Sequence, residues 1–248
     1  MKKMSFAIIS SLLITGSVVA QHISKETLPP LSADSFAAKI TNAAKPQIID
    51  ARTREEFAIN HLNDAVNIDQ FAGNYAADLQ KLDKSRPVFI YAIQNYRPGI
   101  LAKELRDLGF PEVYELKSGI ANWIGAGYPY YSSVKNILSL AEYKSTIAAN
   151  QLVLVDIGTK YCGTCVEVKK LVDSLRQDND ASYKIEEIDL YHNPELVAGL
   201  KEVQAVPTVL LYKDGKIIWK RTGLSFTKTE IEGEIAKAKG SVSSAGNK

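Results

Sequence analysis

Two cysteines, the only pair in 248 residues, stand three apart in Tyr161-Cys162-Gly163-Thr164-Cys165. An apolar, β-branched stretch, Val153-Leu154-Val155-Asp156-Ile157, precedes them, and a helical pattern follows from Val166 to about Gln177. Strand, turn and helix thus deliver a Cys-x-x-Cys pair to a helix N-terminus. There the unsatisfied N–H groups and the positive end of the helix dipole stabilise a thiolate on Cys162. Cys165 is within reach to close a Cys162–Cys165 disulfide or to resolve a mixed one. Zinc would need about four ligands, and His22, His61 and His192 are scattered, so no metal is expected. A purely structural disulfide across so short a loop would constrain the unfolded chain little.

Holding such a pair takes a sheet and covering helices, and the length suits two domains. In the first half, Pro46-Gln47-Ile48-Ile49-Asp50, Arg86-Pro87-Val88-Phe89-Ile90-Tyr91 and Glu112-Val113-Tyr114-Glu115-Leu116 read as buried strands. Helices are expected from a capped start at Ser32, from Arg54, and over 100–108 with Gly109 as the C-cap. That alternation predicts an α/β fold with a parallel sheet covered on both faces. Tyr128-Pro129-Tyr130-Tyr131-Ser132-Ser133 is a short linker by composition, so the two domains are expected to touch. Beyond it, 137–148 reads as a helix ahead of the cysteine-bearing unit.

Residues 1–20 have the plan of a signal peptide: Lys2 and Lys3, a mostly apolar Phe6 to Val19, and Val18-Val19-Ala20 before Gln21. That run is too short and too interrupted for a good membrane span, and no later stretch is long or apolar enough. The expectation is an exported protein, in the periplasm, that does not span the membrane once the signal is cleaved. An exported dithiol drifts towards the disulfide, so a redox partner must recycle it. The formal charge of +2 without a basic block argues against nucleic acid. The polar tail 241–248 is expected to be disordered.

Several spaced motifs resemble the thioredoxin family. They are Asp156 six residues before Cys162, the Cys-Gly-Thr-Cys segment itself, Ala205-Val206-Pro207-Thr208 before an apolar strand, and the turn Lys213-Asp214-Gly215-Lys216. The resemblance covers about 137–240 and implies a thioredoxin fold, a mixed sheet with flanking helices, that needs no cofactor. It implies Cys162 as nucleophile, Cys165 as resolving thiol, and a buried Asp156 as proton acceptor with a raised pKa. Val206-Pro207 matches the family's cis-proline site, where a substrate segment pairs as an added strand. Tyr161, Gly163, Thr164, Val206 and Pro207 are the implied substrate contacts. Tyr161 replaces the usual Trp, Gly158 a bulky aromatic, and Thr164 the Pro of reductases. Residues between the cysteines tune redox poise, so reduction, oxidation and isomerisation all stay open. Glu187 falls where a lysine often partners the buried acid, which would raise Asp156 further.

The first half resembles the rhodanese domain over about 31–131. The residues are Ile49-Asp50-Ala51-Arg52, Glu56-Phe57, His61-Leu62, Ala65-Val66-Asn67-Ile68, and Gly109-Phe110 through Ser118-Gly119-Ile120-Ala121-Asn122-Trp123. Active rhodaneses carry sulfur on a cysteine in the loop that follows Tyr91 here. That loop reads Ala92-Ile93-Gln94-Asn95-Tyr96-Arg97-Pro98-Gly99; Ala92 takes the cysteine position and only Arg97 keeps the pattern. Alanine cannot accept sulfur, which disfavours a sulfurtransferase. An anion-binding loop, a support without ligand, and a docking face for a partner or second copy stay open. His61 is expected to be structural. The leading expectation is an exported oxidoreductase acting on protein disulfides or thiols. The alternative is a binding or scaffold protein with a structural or vestigial disulfide.

Overall fold

The computed structural model describes residues 28–135, 137–178 and 180–240. The signal peptide and the polar tail expected from sequence lie outside the described residues.

The first domain runs α1 (Ala33–Asn42), β1 (Gln47–Asp50), α2 (Arg54–Ile59), β2 (Asn60–Leu62), β3 (Ala65–Asn67), α3 (Tyr75–Leu79), β4 (Val88–Tyr91), α4 (Tyr96–Asp107), β5 (Val113–Glu115) and α5 (Gly119–Gly125). Its sheet has the order β3-β1-β4-β5, and every neighbouring pair is parallel. β1 and β4 are buried at every position, in β1 including the polar Gln47 and Asp50. Successive side chains alternate between faces. Ile49, Val88 and Ile90 pack with Leu101 and Leu105 of α4. Ile48, Phe89 and Tyr91 pack with Phe36 of α1 and Ile120 and Ile124 of α5. α4 begins at Tyr96, a turn before the start read from sequence. Pro98 falls in that first turn, where its missing N–H costs no helical hydrogen bond.

β6 (Tyr130–Ser132) follows, then α6 (Leu140–Ala149), β7 (Leu152–Gly158), α7 (Gly163–Gln177), β8 (Lys184–Asp189), α8 (Pro194–Gly199), β9 (Thr208–Lys213), β10 (Lys216–Thr222) and α9 (Lys228–Gly240). The second sheet has the order β10-β9-β7-β8, with β8 parallel to β7 and the other pairs antiparallel. α7 and α9 cover one face through Val168, Val172, Ile231 and Ile235. α6 and α8 cover the other through Tyr143, Ile147, Leu196 and Val197.

Two sequence expectations need correction. The segment 128–133 is not a free linker: β6 pairs antiparallel with β2, with Tyr131 opposite His61. The His61 ring stacks between Phe57 and Tyr131, and its Nδ1 is 2.8 Å from the Phe57 carbonyl oxygen, a structural role. α6 starts at Leu140 rather than 137, because Ser139 and Glu142 form a reciprocal capping box.

The two domains share one core. A single cluster of buried apolar side chains runs from Phe36 and Phe89 through Ile120 and Trp123 to Leu196, Val203, Val155 and Ile157. Gly125 of α5 allows the closest approach: a Cβ there would stand 2.1 Å from the Val203 carbonyl oxygen.

Candidate functional site

β7 and α7 position the two cysteines. Cys162 is the N-cap of α7, and its sulfur accepts a hydrogen bond from the Cys165 backbone N–H at 3.2 Å. The pair is disulfide-bonded, with Cα atoms 5.2 Å apart. Thr164 Oγ1 lies 3.3 Å from Cys162 Sγ. Gly158 ends β7 beneath them; a Cβ there would lie 3.1 Å from Cys165 Cβ, so the small residue leaves Cys165 its place.

Asp156, two residues back on the same strand face, is 6% exposed, and its Oδ1 has no hydrogen-bond partner among the described groups. Asp156, Gly158, Thr159 and Cys165 line a cavity of ≈ 340 Å³ that also reaches Lys169 and Glu187. Burial first, and then the Glu187 charge, push the Asp156 carboxyl up to about 7, with Lys169 pulling the other way. Glu187 stands opposite Asp156 in the β7–β8 register. It is itself held below its ordinary value: burial opposes, but hydrogen bonds and charge from Lys169 and Arg176 prevail. Its ion pairs measure 2.9 Å to Lys169 and 2.7 Å to Arg176.

The Val206–Pro207 peptide bond is cis, before β9. A residue that sequence reasoning passed over links Val206 O to the Cys162 sulfur. Gln94, from the loop after β4, donates from Nε2 to Val206 O at 3.0 Å and to Thr164 Oγ1 at 2.8 Å, and lies 3.4 Å from Cys162 Sγ. Cys162 is 1% exposed and Cys165 4%. Gly163 is exposed and Tyr161 half-buried. The Tyr161 hydroxyl donates to Glu55 of α2, and its ring leans on Tyr191 at 5.2 Å. Lys160 reaches the same Glu55 at 3.5 Å.

Deeper in this seam, the fully buried Arg52 pairs with Asp50 at 2.6 Å and donates to the Tyr191 hydroxyl at 2.8 Å. That hydroxyl donates to Glu56 at 2.9 Å. At its far edge Asn122 Nδ2 donates to Gln204 O at 3.3 Å.

The loop of the first domain does not hold an open cation. Both terminal nitrogens of Arg97 bond Glu56, at 3.0 and 3.2 Å. Burial would raise Glu56, but the hydrogen bonds and charge of Arg97 outweigh it and keep it ionised below the usual range. An anion-binding role resting on Arg97 is therefore set aside. Ala92 is completely buried, and its carbonyl accepts from Ile120 N–H at 2.8 Å.

Gln94, Glu55 and Tyr191 carried no signal of their own in the sequence. Their part depends on which faces of two domains meet, and no local spacing encodes that.

The rhodanese-like domain family matches residues 32–126 and the thioredoxin family residues 134–237. The thioredoxin of Porphyra purpurea is 31% identical over 98 residues, which are 39% of this chain and 90% of that protein. Thioredoxin-1 of Saccharomyces cerevisiae is 32% identical over 92 residues, 36% of this chain and 85% of that protein. Among solved structures, oxidised mitochondrial thioredoxin 3 from Saccharomyces cerevisiae is 28% identical with a TM-score of 0.36; the match covers 42% of this chain and 95% of that one.

Proposed function

The chain belongs to the thioredoxin family, with a rhodanese-like domain ahead of its thioredoxin domain, and is a thiol–disulfide oxidoreductase; from that premise we propose that it is exported to the periplasm and exchanges disulfides with protein substrates there. The observation that carries the chemistry is the Cys162–Cys165 pair at the N-terminus of α7, whose Cys165 shares a cavity with a buried carboxyl poised near neutrality.

In the reducing direction the Cys162 thiolate attacks one sulfur of a substrate disulfide. The new bond joins Cys162 to the substrate, and the other substrate sulfur leaves as a thiolate that takes a proton from water. Cys165 then gives its proton to Asp156 and attacks Cys162 Sγ. The mixed disulfide breaks, the second substrate thiolate leaves, and two electrons have passed to the substrate as Cys162–Cys165 closes. Oxidation is the same sequence run backwards. A partner dithiol or oxidant of the compartment resets the pair.

Export rests on the pattern of Lys2, Lys3 and the apolar run to Val19. N-terminal sequencing of the mature protein tests it, and Gln21 is the expected first residue. Among the described residues no helix is long and apolar enough to cross a membrane. The rhodanese-like domain serves as a positioning module, supported by the seam through Gln94, Glu55, Arg52 and Asn122.

Insulin reduction, repeated across glutathione buffers with Cys162→Ser as control, tests the activity. Absence of turnover at every poise would leave a scaffold with a structural disulfide. Sulfur transfer from thiosulfate that survives Cys162→Ser would overturn the reading of Ala92.

A further inference from the structure

The substrate-pairing edge of the redox site is already occupied by the chain's own N-terminal domain. A substrate segment added as a strand at this site needs backbone carbonyl Val206 O as acceptor for its own N–H. Gln94 Nε2 sits on that oxygen at 3.0 Å. The same –NH2 group reaches Thr164 Oγ1 at 2.8 Å and lies 3.4 Å from Cys162 Sγ, so one carboxamide spans the acceptor, the intervening residue and the attacking sulfur. A primary amide has the donor chemistry of a peptide N–H. Cys162 is 1% exposed, so a substrate reaches its sulfur only if a neighbouring group moves. Disulfide exchange needs access to the attacked sulfur, and Gln94 stands against Cys162 Sγ.

The loop doing this is the one that replaces a catalytic loop. With Ala92 buried and Arg97 tied to Glu56, the side chain left pointing across the seam is Gln94. We propose that Gln94 is a built-in substrate mimic, which caps the dithiol until an extended peptide segment displaces it. The proposal deepens the oxidoreductase reading and rests on it. Small thiols and disulfides find the same sulfur shut away, so the favoured substrate is a polypeptide that supplies the replacing N–H and inserts its sulfur in one step.

The test is the alkylation rate of the reduced full-length protein with two probes, iodoacetamide and a maleimide carrying a polyethylene glycol chain, at a pH where Cys162 is fully ionised. In the wild type the bulky probe is expected to lag far behind its rate on the denatured protein. Gln94→Ala should raise the bulky-probe rate about fivefold, what one net hydrogen bond is worth in a closed–open equilibrium, and the small-probe rate less. Gly125→Ala, which touches no part of the redox site, forces a Cβ against Val203 O and should raise the bulky-probe rate too. A bulky probe that labels the wild type as fast as the denatured chain overturns the cap. So does a ratio of the two probes that neither substitution changes. With a peptide disulfide as substrate, Gln94→Ala should lower KM without lowering kcat. Wild-type turnover is the separate control: its absence rejects the oxidoreductase reading, whereas turnover with unaltered labelling rejects the cap alone.

Discussion

At the scale of single residues, the proposed mechanism divides the chemistry between two sulfurs and one carboxyl. Cys162→Ser is expected to abolish exchange, and Cys165→Ser to leave a mixed disulfide that non-reducing electrophoresis detects. Asp156 carries a pH prediction whose sign is fixed by its raised pKa. The folded state retains a proton that the unfolded chain has released between its ordinary value and about 7. Stability therefore falls as pH rises through that window, and the cost is complete above it. Asp156→Asn should be more stable than the wild type by roughly 2–4 kcal/mol at pH 8, with the difference vanishing towards pH 4, as urea melts will read. The same variant should lose the rise in turnover centred near pH 7 that a base of that pKa gives. These three residues were legible in the sequence because each lies in a short motif with fixed spacing. Gln94 was not, since an amide in a degenerate loop acquires meaning only from what another domain sets in front of it.

Elements were legible in proportion to their length and burial. β1, β4 and β7 are buried along nearly their whole length and carry apolar runs that announced them. β2, β3 and β6 have three residues each, too few to display a period of two, and β6 hides within a Tyr- and Pro-rich run that composition marks as connection. The start of α6 was misplaced because Ile137 extends the apolar pattern, while the Ser139–Glu142 box sets the boundary. Ser139→Ala removes the acceptor for Glu142 N–H and is expected to lower stability by about 1 kcal/mol in denaturant titration.

For the whole molecule, the shared apolar cluster and the buried hydrogen bond from Arg52 to the Tyr191 hydroxyl join the two domains. Far-UV circular dichroism and the fluorescence of Trp123 and Trp219, one tryptophan in each domain, are expected to report a single coincident unfolding transition. Arg52→Ala strands the Asp50 carboxylate and removes the donor to Tyr191, which should cost about 3–5 kcal/mol and separate the two probes' midpoints. Sequence predicted that the domains touch. It could not show which faces do, since the contact is made by side-chain and backbone groups scattered from Arg52 to Gln204.

The pairing of β6 with β2 leaves only a handful of residues between the first domain's ribbon and the cap of α6. When Gln94 is displaced it stays close by, carried on a domain that shares one core with the other. Its local concentration over the sulfurs is written into the chain and does not fall when the protein is diluted. The shut-to-open ratio should then be equal at nanomolar and millimolar protein, and a competitor for the same carbonyl should move it towards open.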